Sequence, residues 1–249
     1  MRSEKVVKKT NMKLDILAVG AHPDDIELSC AGVLLKEQSL GKTTGVLDLT
    51  RGELGSRGSA EIRDQEAAAA AKILKLSIRE NLAFKDGFIV NDEAHQLEMI
   101  KMIRKYRPEI VLCNAIKDRH PDHAKASELT SVGCFLSGLQ RIETSLDGEL
   151  QEPWRPKQVY HYIQWLDIEP DFVVDITGYI DDKMAAVQAY KSQFYKPGDK
   201  GPQTPINSKN FLESIKYRSA NFGRLIGTEH AEGFTSERPP AIKSVFDLI

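Results

Sequence analysis

Residues 18–27 read Ala18-Val19-Gly20-Ala21-His22-Pro23-Asp24-Asp25-Ile26-Glu27. The apolar run that ends at Gly20 predicts a buried strand over residues 14–20, and an apolar helical pattern begins five residues later. One histidine and three carboxylates stand between them. A junction from strand to helix is where open α/β sheets place their ligands. His22 precedes a proline and is held extended. Pro23 suits the first helical position, where its missing N–H costs nothing. Asp24, Asp25 and Glu27 then fall in the first turn, where the helix dipole favours negative charge. A capped helix start accounts for one or two of these acids. It does not account for a histidine beside two adjacent aspartates.

Outward from this junction, strands and helices alternate. A helix is expected over residues 24–40, stopped by Gly41, and a strand over 43–50. The loop Arg51-Gly52-Glu53-Leu54-Gly55-Ser56-Arg57-Gly58 lacks the Gly-Lys-Ser/Thr ending of a phosphate loop and reads either as a long connection or as a flap over a site at the strand ends. A helix over 59–76, a short strand over 81–84, a helix over Glu93–Tyr106 and a strand over Ile110–Cys113 follow. This order predicts an α/β, Rossmann-like fold with a mostly parallel sheet and helices on both faces. Beyond it come strands over 159–163 and 172–176, helices over 181–190 and 210–226, a loop over 196–207, and a partly extended segment over 229–249.

After the strand Ile110–Cys113 the polar logic repeats in Lys117-Asp118-Arg119-His120-Pro121-Asp122-His123, ahead of a helix over 123–139. Two polar clusters that follow two strands of one parallel sheet lie near each other at its carboxyl edge. His22 and Asp25, three residues apart, offer a nitrogen and an oxygen to one ion. His120 or His123 supplies the next ligand. Two histidines and a carboxylate with an open position make a catalytic zinc arrangement, and iron(II) or manganese(II) fits the same donors. Asp24, beside Asp25 and aimed differently, suits a general base.

Composition narrows the classes. The 249 residues are 41% hydrophobic and 28% charged, with a net charge of −2, which argues against a nucleic-acid or anionic-membrane footprint. No apolar run is long enough to span a bilayer. Residues 1–12 are basic and polar with no apolar core, so a mobile tail is expected there rather than a secretory signal, followed by a single domain over 13–249. Cys30, Cys113 and Cys134 are odd in number and lie in apolar segments, as buried hydrophobes do in a reducing cytoplasm.

The two clusters together resemble the zinc-dependent de-N-acetylases of the LmbE/PIG-L type. Asp48-Leu49-Thr50-Arg51-Gly52-Glu53, the helix carrying Arg63, Lys191-Ser192-Gln193-Phe194 and Ala231-Glu232-Gly233-Phe234 extend the likeness over most of the chain. They are most similar to the bacillithiol-biosynthesis branch, which removes acetate from N-acetylglucosaminyl malate. The resemblance implies His22, Asp25 and His123 as ligands of one zinc ion and Asp24 as base. It implies His120 as auxiliary acid or charge stabiliser, oriented by Asp122, and a homo-oligomer that can be a hexamer. The chain departs from its relatives in Phe211, near the place of a tyrosine hydroxyl, and in His230, where tyrosine is common. A malyl group needs cationic partners, and Arg63 and Arg119 are the candidates nearest the two clusters.

Overall fold

In the computed structural model, which describes residues 12–198 and 200–247, strands β1 (Ile16–Gly20) and β2 (Thr44–Thr50) are buried at every position. Strands covered on both faces read as continuous apolar runs, and β1 shows why. Leu17 and Val19 face one core, with Leu47, Val111, Met99, Ile103 and Leu129. Ile16 and Ala18 face the other, with Ile26, Leu34, Val46 and Leu112. The remaining strands are β3 (Ile78–Phe84), β4 (Ile110–Cys113), the short hairpin pair β5 (Ser145–Leu146) and β6 (Glu149–Leu150), β7 (Gln158–Tyr162), β8 (Phe172–Asp175) and β9 (Ala231–Ser236). The seven-stranded sheet runs in the order β3-β2-β1-β4-β7-β9-β8. From β3 to β7 every pairing is parallel. The expected mostly parallel sheet is therefore present, with one exception at its far side. There β9 runs antiparallel to both β7 and β8.

The helices are α1 (Asp25–Ser29), α2 (Ala31–Ser39), α3 (Ala60–Ile73), α4 (Glu93–Tyr106), α5 (Pro121–Leu136), α6 (Ile180–Gln188) and α7 (Lys209–Ile226). Ser59, Asp92 and Ser208 cap α3, α4 and α7 through their side chains, the usual task of such residues at a helix start. One helix expected over 24–40 is two. Cys30, at φ −131° and ψ 15°, breaks it. Past the break, the Glu232 carboxylate accepts from the N–H groups of Gly32 and Val33 at 3.0 and 2.7 Å and pairs with buried Lys183 at 2.6 Å. The strand expected over 81–84 begins earlier, at Ile78. The irregular stretch 141–156 holds the β5–β6 hairpin. Cys30, Cys113 and Cys134 are buried and free. The tail expected over residues 1–12 lies, apart from Met12, outside the described residues. Among the described residues no helix is long and apolar enough to cross a membrane.

Candidate metal centre

The carboxyl ends of β1 and β4 bring the two polar clusters together. His22 sits two residues past β1, and His120 and His123 stand at the start of α5. The rings of His22 and His120 are 4.5 Å apart, those of His22 and His123 5.5 Å, and those of His120 and His123 5.2 Å. One nitrogen from each lies within 4.8 Å of the others. Asp25 joins two of them, with Oδ2 3.6 Å from His22 Nδ1 and Oδ1 3.3 Å from His123 Nε2. Three imidazole nitrogens and a carboxylate converging at a buried point suit a divalent transition metal.

Side chains behind the donors hold them in place. The Asp25 carboxylate accepts from Asn114 Nδ2 at 3.0 Å, from Gln164 Nε2 at 2.7 Å and from the His22 N–H at 3.0 Å. His123 Nδ1 meets Asp118 at 2.8 Å, which leaves Nε2 facing Asp25. Partners of this kind fix the tautomer and aim of a metal-binding imidazole. His120 Nδ1 accepts from the backbone N–H of Asp122 at 3.3 Å. Asp122 therefore meets His120 through its main chain, and its carboxylate goes elsewhere, to the Gly87 N–H at 2.7 Å and toward His22 Nε2 at 3.6 Å.

Asp24 is not in the first turn of a helix. It precedes α1 at φ 114°, ψ −21°, in the left-handed region that disfavours any side chain, and makes no side-chain cap bond. That turn, closed by Asp25 N–H to His22 O at 3.2 Å, sends the Asp24 and Asp25 carboxylates in different directions. Asp24 meets Arg63 Nη2 at 3.1 Å, and the same guanidinium nitrogen donates to Pro23 O. Gly52, at φ 65°, lets Arg63 through: a Cβ there would stand 2.9 Å from Nη1.

The electrostatics separate the two aspartates. Burial pushes Asp24 up to about 7, with Arg63 opposing and Asp25 reinforcing the rise. Asp25 is buried too, but His123 and His22 hold it well below the usual carboxylate range. Burial, with His22 and His123 alongside, lowers His120 below its ordinary value. Two adjacent carboxylates with values pushed apart are suited to different tasks.

Every sequence-identified residue reaches this pocket or its wall: His22, Asp24, Asp25, His120 and His123 at the centre, Asp122 behind His22, Arg63 against Asp24, and Arg119 at the mouth, its guanidinium 4.5 Å over the Trp165 ring. Phe211 lines the pocket without a hydroxyl to offer. The sequence reading missed Asp86, whose carboxylate is 3.0 Å from His22 Nε2, and the supporting residues Asn114 and Gln164. All three lie one or two residues past a parallel strand, at the ends of β3, β4 and β7. Applying the carboxyl-edge rule to every parallel strand, rather than to the two with histidines, finds them.

The sequence profile of the family GlcNAc-PI de-N-acetylase (PIG-L) matches residues 17–132, which span β1 through most of α5. The diacetylchitobiose deacetylase of Thermococcus kodakarensis is 27% identical over 228 residues, covering 88% of this chain and 81% of the relative. The 4-oxalmesaconate hydratase of Pseudomonas putida is 27% identical over 196 residues, 71% of this chain and 73% of the relative. The crystal structure of a conserved protein from Thermus thermophilus, TT1542, superposes with a TM-score of 0.81 at 38% identity, over 92% of this chain and 97% of that one.

Proposed function

The chain belongs to the PIG-L family of de-N-acetylases, and on that premise we propose that it is a zinc-dependent hydrolase that removes acetate from an N-acetylglucosaminide, N-acetylglucosaminyl malate being the preferred substrate. The observation that carries the reaction is Asp24, a buried carboxylate held by Arg63 and turned away from a donor set that already has its own carboxylate in Asp25. A second carboxylate, left free by the donor set, is what amide hydrolysis needs as a general base.

The donors suit zinc, with His22, Asp25 and His123 as holders. A divalent ion bound there would polarise the amide carbonyl and acidify a water. Asp24 takes the proton of the attacking water, and Arg63 keeps that carboxylate aimed into the pocket. His120, its Nδ1 occupied by the Asp122 N–H, donates from Nε2 to the charge that develops on the carbonyl oxygen. The proton collected by Asp24 passes to the amine nitrogen as the C–N bond breaks, releasing acetate and the free amino sugar. Arg63 is engaged by Asp24, so recognition of malyl carboxylates falls first to exposed Arg119. Self-association, up to a hexamer, is part of the same proposal. It is supported by the resemblance and by exposed Leu54 and Phe88 on the loops that flank the pocket.

An acetate-release assay with zinc-loaded protein on N-acetylglucosaminyl malate, N-acetylglucosamine and diacetylchitobiose tests the reading. The malyl glycoside should lead by roughly ten- to a hundredfold in kcat/KM, the worth of one charge-assisted carboxylate contact. Equal efficiency on all three would leave a general N-acetyl sugar deacetylase, which the T. kodakarensis relative favours. Hydration of 4-oxalmesaconate with no acetate release from any glycoside would replace deacetylation with the chemistry named for the P. putida relative.

A further inference from the structure

Among the described residues, the arginines with buried side chains have partners. Arg57 donates to Ser192 O and Pro202 O, Arg63 to Asp24, and Arg79 to Asp48 and Glu27. Arg104 donates to three carbonyls and the Thr144 hydroxyl. Arg218 differs. On α7 the inward positions are Ile215, Ser219 and Phe222, and residue 218 lies on the same face by helical period. Its side chain lines the catalytic pocket together with His123, Gln164 and Trp165. Yet it forms no hydrogen bond and no ion pair with any described residue. Asp167 and Asp118 act on it only from a distance, against a burial that lowers its pKa. Asp118 is committed to His123.

A guanidinium that is partly stripped of water and left unpaired is costly. Folding keeps it there because α7 must bury Ile215 and Phe222, and the vacant donors open onto the pocket. Arg119 lines the same pocket, and its guanidinium rests on the Trp165 ring without an acid partner. Resting on the deacetylase reading above, we propose that Arg218, with Arg119, forms an anion subsite that binds a carboxylate on the group attached to the sugar. The planar fork of arginine matches a carboxylate with two parallel hydrogen bonds. Asp118 and Asp167 nearby favour a singly charged carboxylate over a doubly charged phosphate. Arg218 is a specificity residue in this role and takes no part in bond breaking.

The test compares kcat/KM of the zinc-loaded protein and its Arg218→Gln variant on N-acetylglucosaminyl malate, methyl N-acetylglucosaminide and N-acetylglucosamine 1-phosphate. The variant should lose roughly ten- to a hundredfold more on the malyl substrate than on the methyl glycoside, mostly in KM. Arg218→Lys, which keeps charge without the fork, should recover part of the difference and guards against misfolding of the glutamine variant. Equal loss on the malyl and methyl substrates, carried by kcat, would move Arg218 to the reacting carbonyl and overturn the subsite. A larger loss on the phosphate would overturn the carboxylate assignment, and no change on any substrate would overturn both. If the unmutated protein turns over none of them, deacetylation is what fails. Calorimetry with glucosaminyl malate against methyl glucosaminide then decides the subsite. Tighter binding of the malyl compound that Arg218→Gln abolishes supports it, and equal binding overturns it.

Discussion

A non-glycine residue at φ 114°, as Asp24 is, stores strain on the order of 1–3 kcal/mol, and such strain collects at functional sites. Here it separates two neighbouring carboxylates, one toward the donors and one toward Arg63. If Asp24 is the base, Asp24→Asn should keep its metal and lose about 10²–10⁴-fold in turnover. Metal analysis beside the rate measurement checks this, and zinc lost in step with activity would make Asp24 a ligand. The rings of His120 and His123 can be told apart in the same way. His123→Ala should empty the site, because Asp118 and Asp25 hold that ring between them. His120→Ala should lower turnover and leave metal content near that of the parent; a stoichiometric loss of zinc would place His120 among the ligands in place of the assigned set. At this scale the sequence was legible wherever chemistry was concentrated. His22-Pro-Asp-Asp and His120-Pro-Asp-His each carry several rare residues in a few positions. Asp86, Gln164 and Arg218 are single polar residues in ordinary surroundings, and only the sheet's geometry gathers them.

Elements were legible where periodicity and end signals agree. The bounds of α4 and β4 match expectation because Asp92 caps one and Pro108 precedes the other. The break at Cys30 was not legible. Ile26, Cys30 and Val33 keep helical spacing across it, Leu28 and Leu35 add a second apolar line, and together they read as one buried helix. The partner that stabilises the break, Glu232, lies about 200 residues away in sequence. The extended form of β9 was only partly legible, since Ala-Glu-Gly-Phe has no apolar alternation and its glutamate points inward to Lys183 and the start of α2. Glu232→Ala should therefore cost about 3–5 kcal/mol, the usual penalty for stranding one member of a buried ion pair. Urea unfolding of the variant measures it. A loss under about 1 kcal/mol would show that Lys183 finds another partner and that the α2 start needs no carboxylate.

Across the whole molecule, the parallel half of the sheet carries the donors of the centre, and the antiparallel side carries the seam that closes the fold. Strand β8 has one neighbour in the sheet, β9, and β9 comes from much later in the chain. Phe172 on β8 and Phe234 on β9 stack at 5.3 Å across that seam. During synthesis β8 is thus made long before anything exists for it to pair with, and its edge waits exposed until residues 231–236 emerge. The same late strand delivers Glu232 to α2, so the second helix after the His22–Asp25 turn also completes its cap last. Pairing between distant segments is slow and leaves edges open to wrong partners. In native-state hydrogen exchange, the amides of 172–175 and 231–236 should open together as one cooperative unit, distinct from β1, β2 and β4. Independent exchange of β8 and β9 would break that unit apart. A chain that stalls or is cut short of Ala231 should hold both histidine clusters and still present a raw β-edge, which makes it a substrate for chaperones and proteases rather than a smaller enzyme.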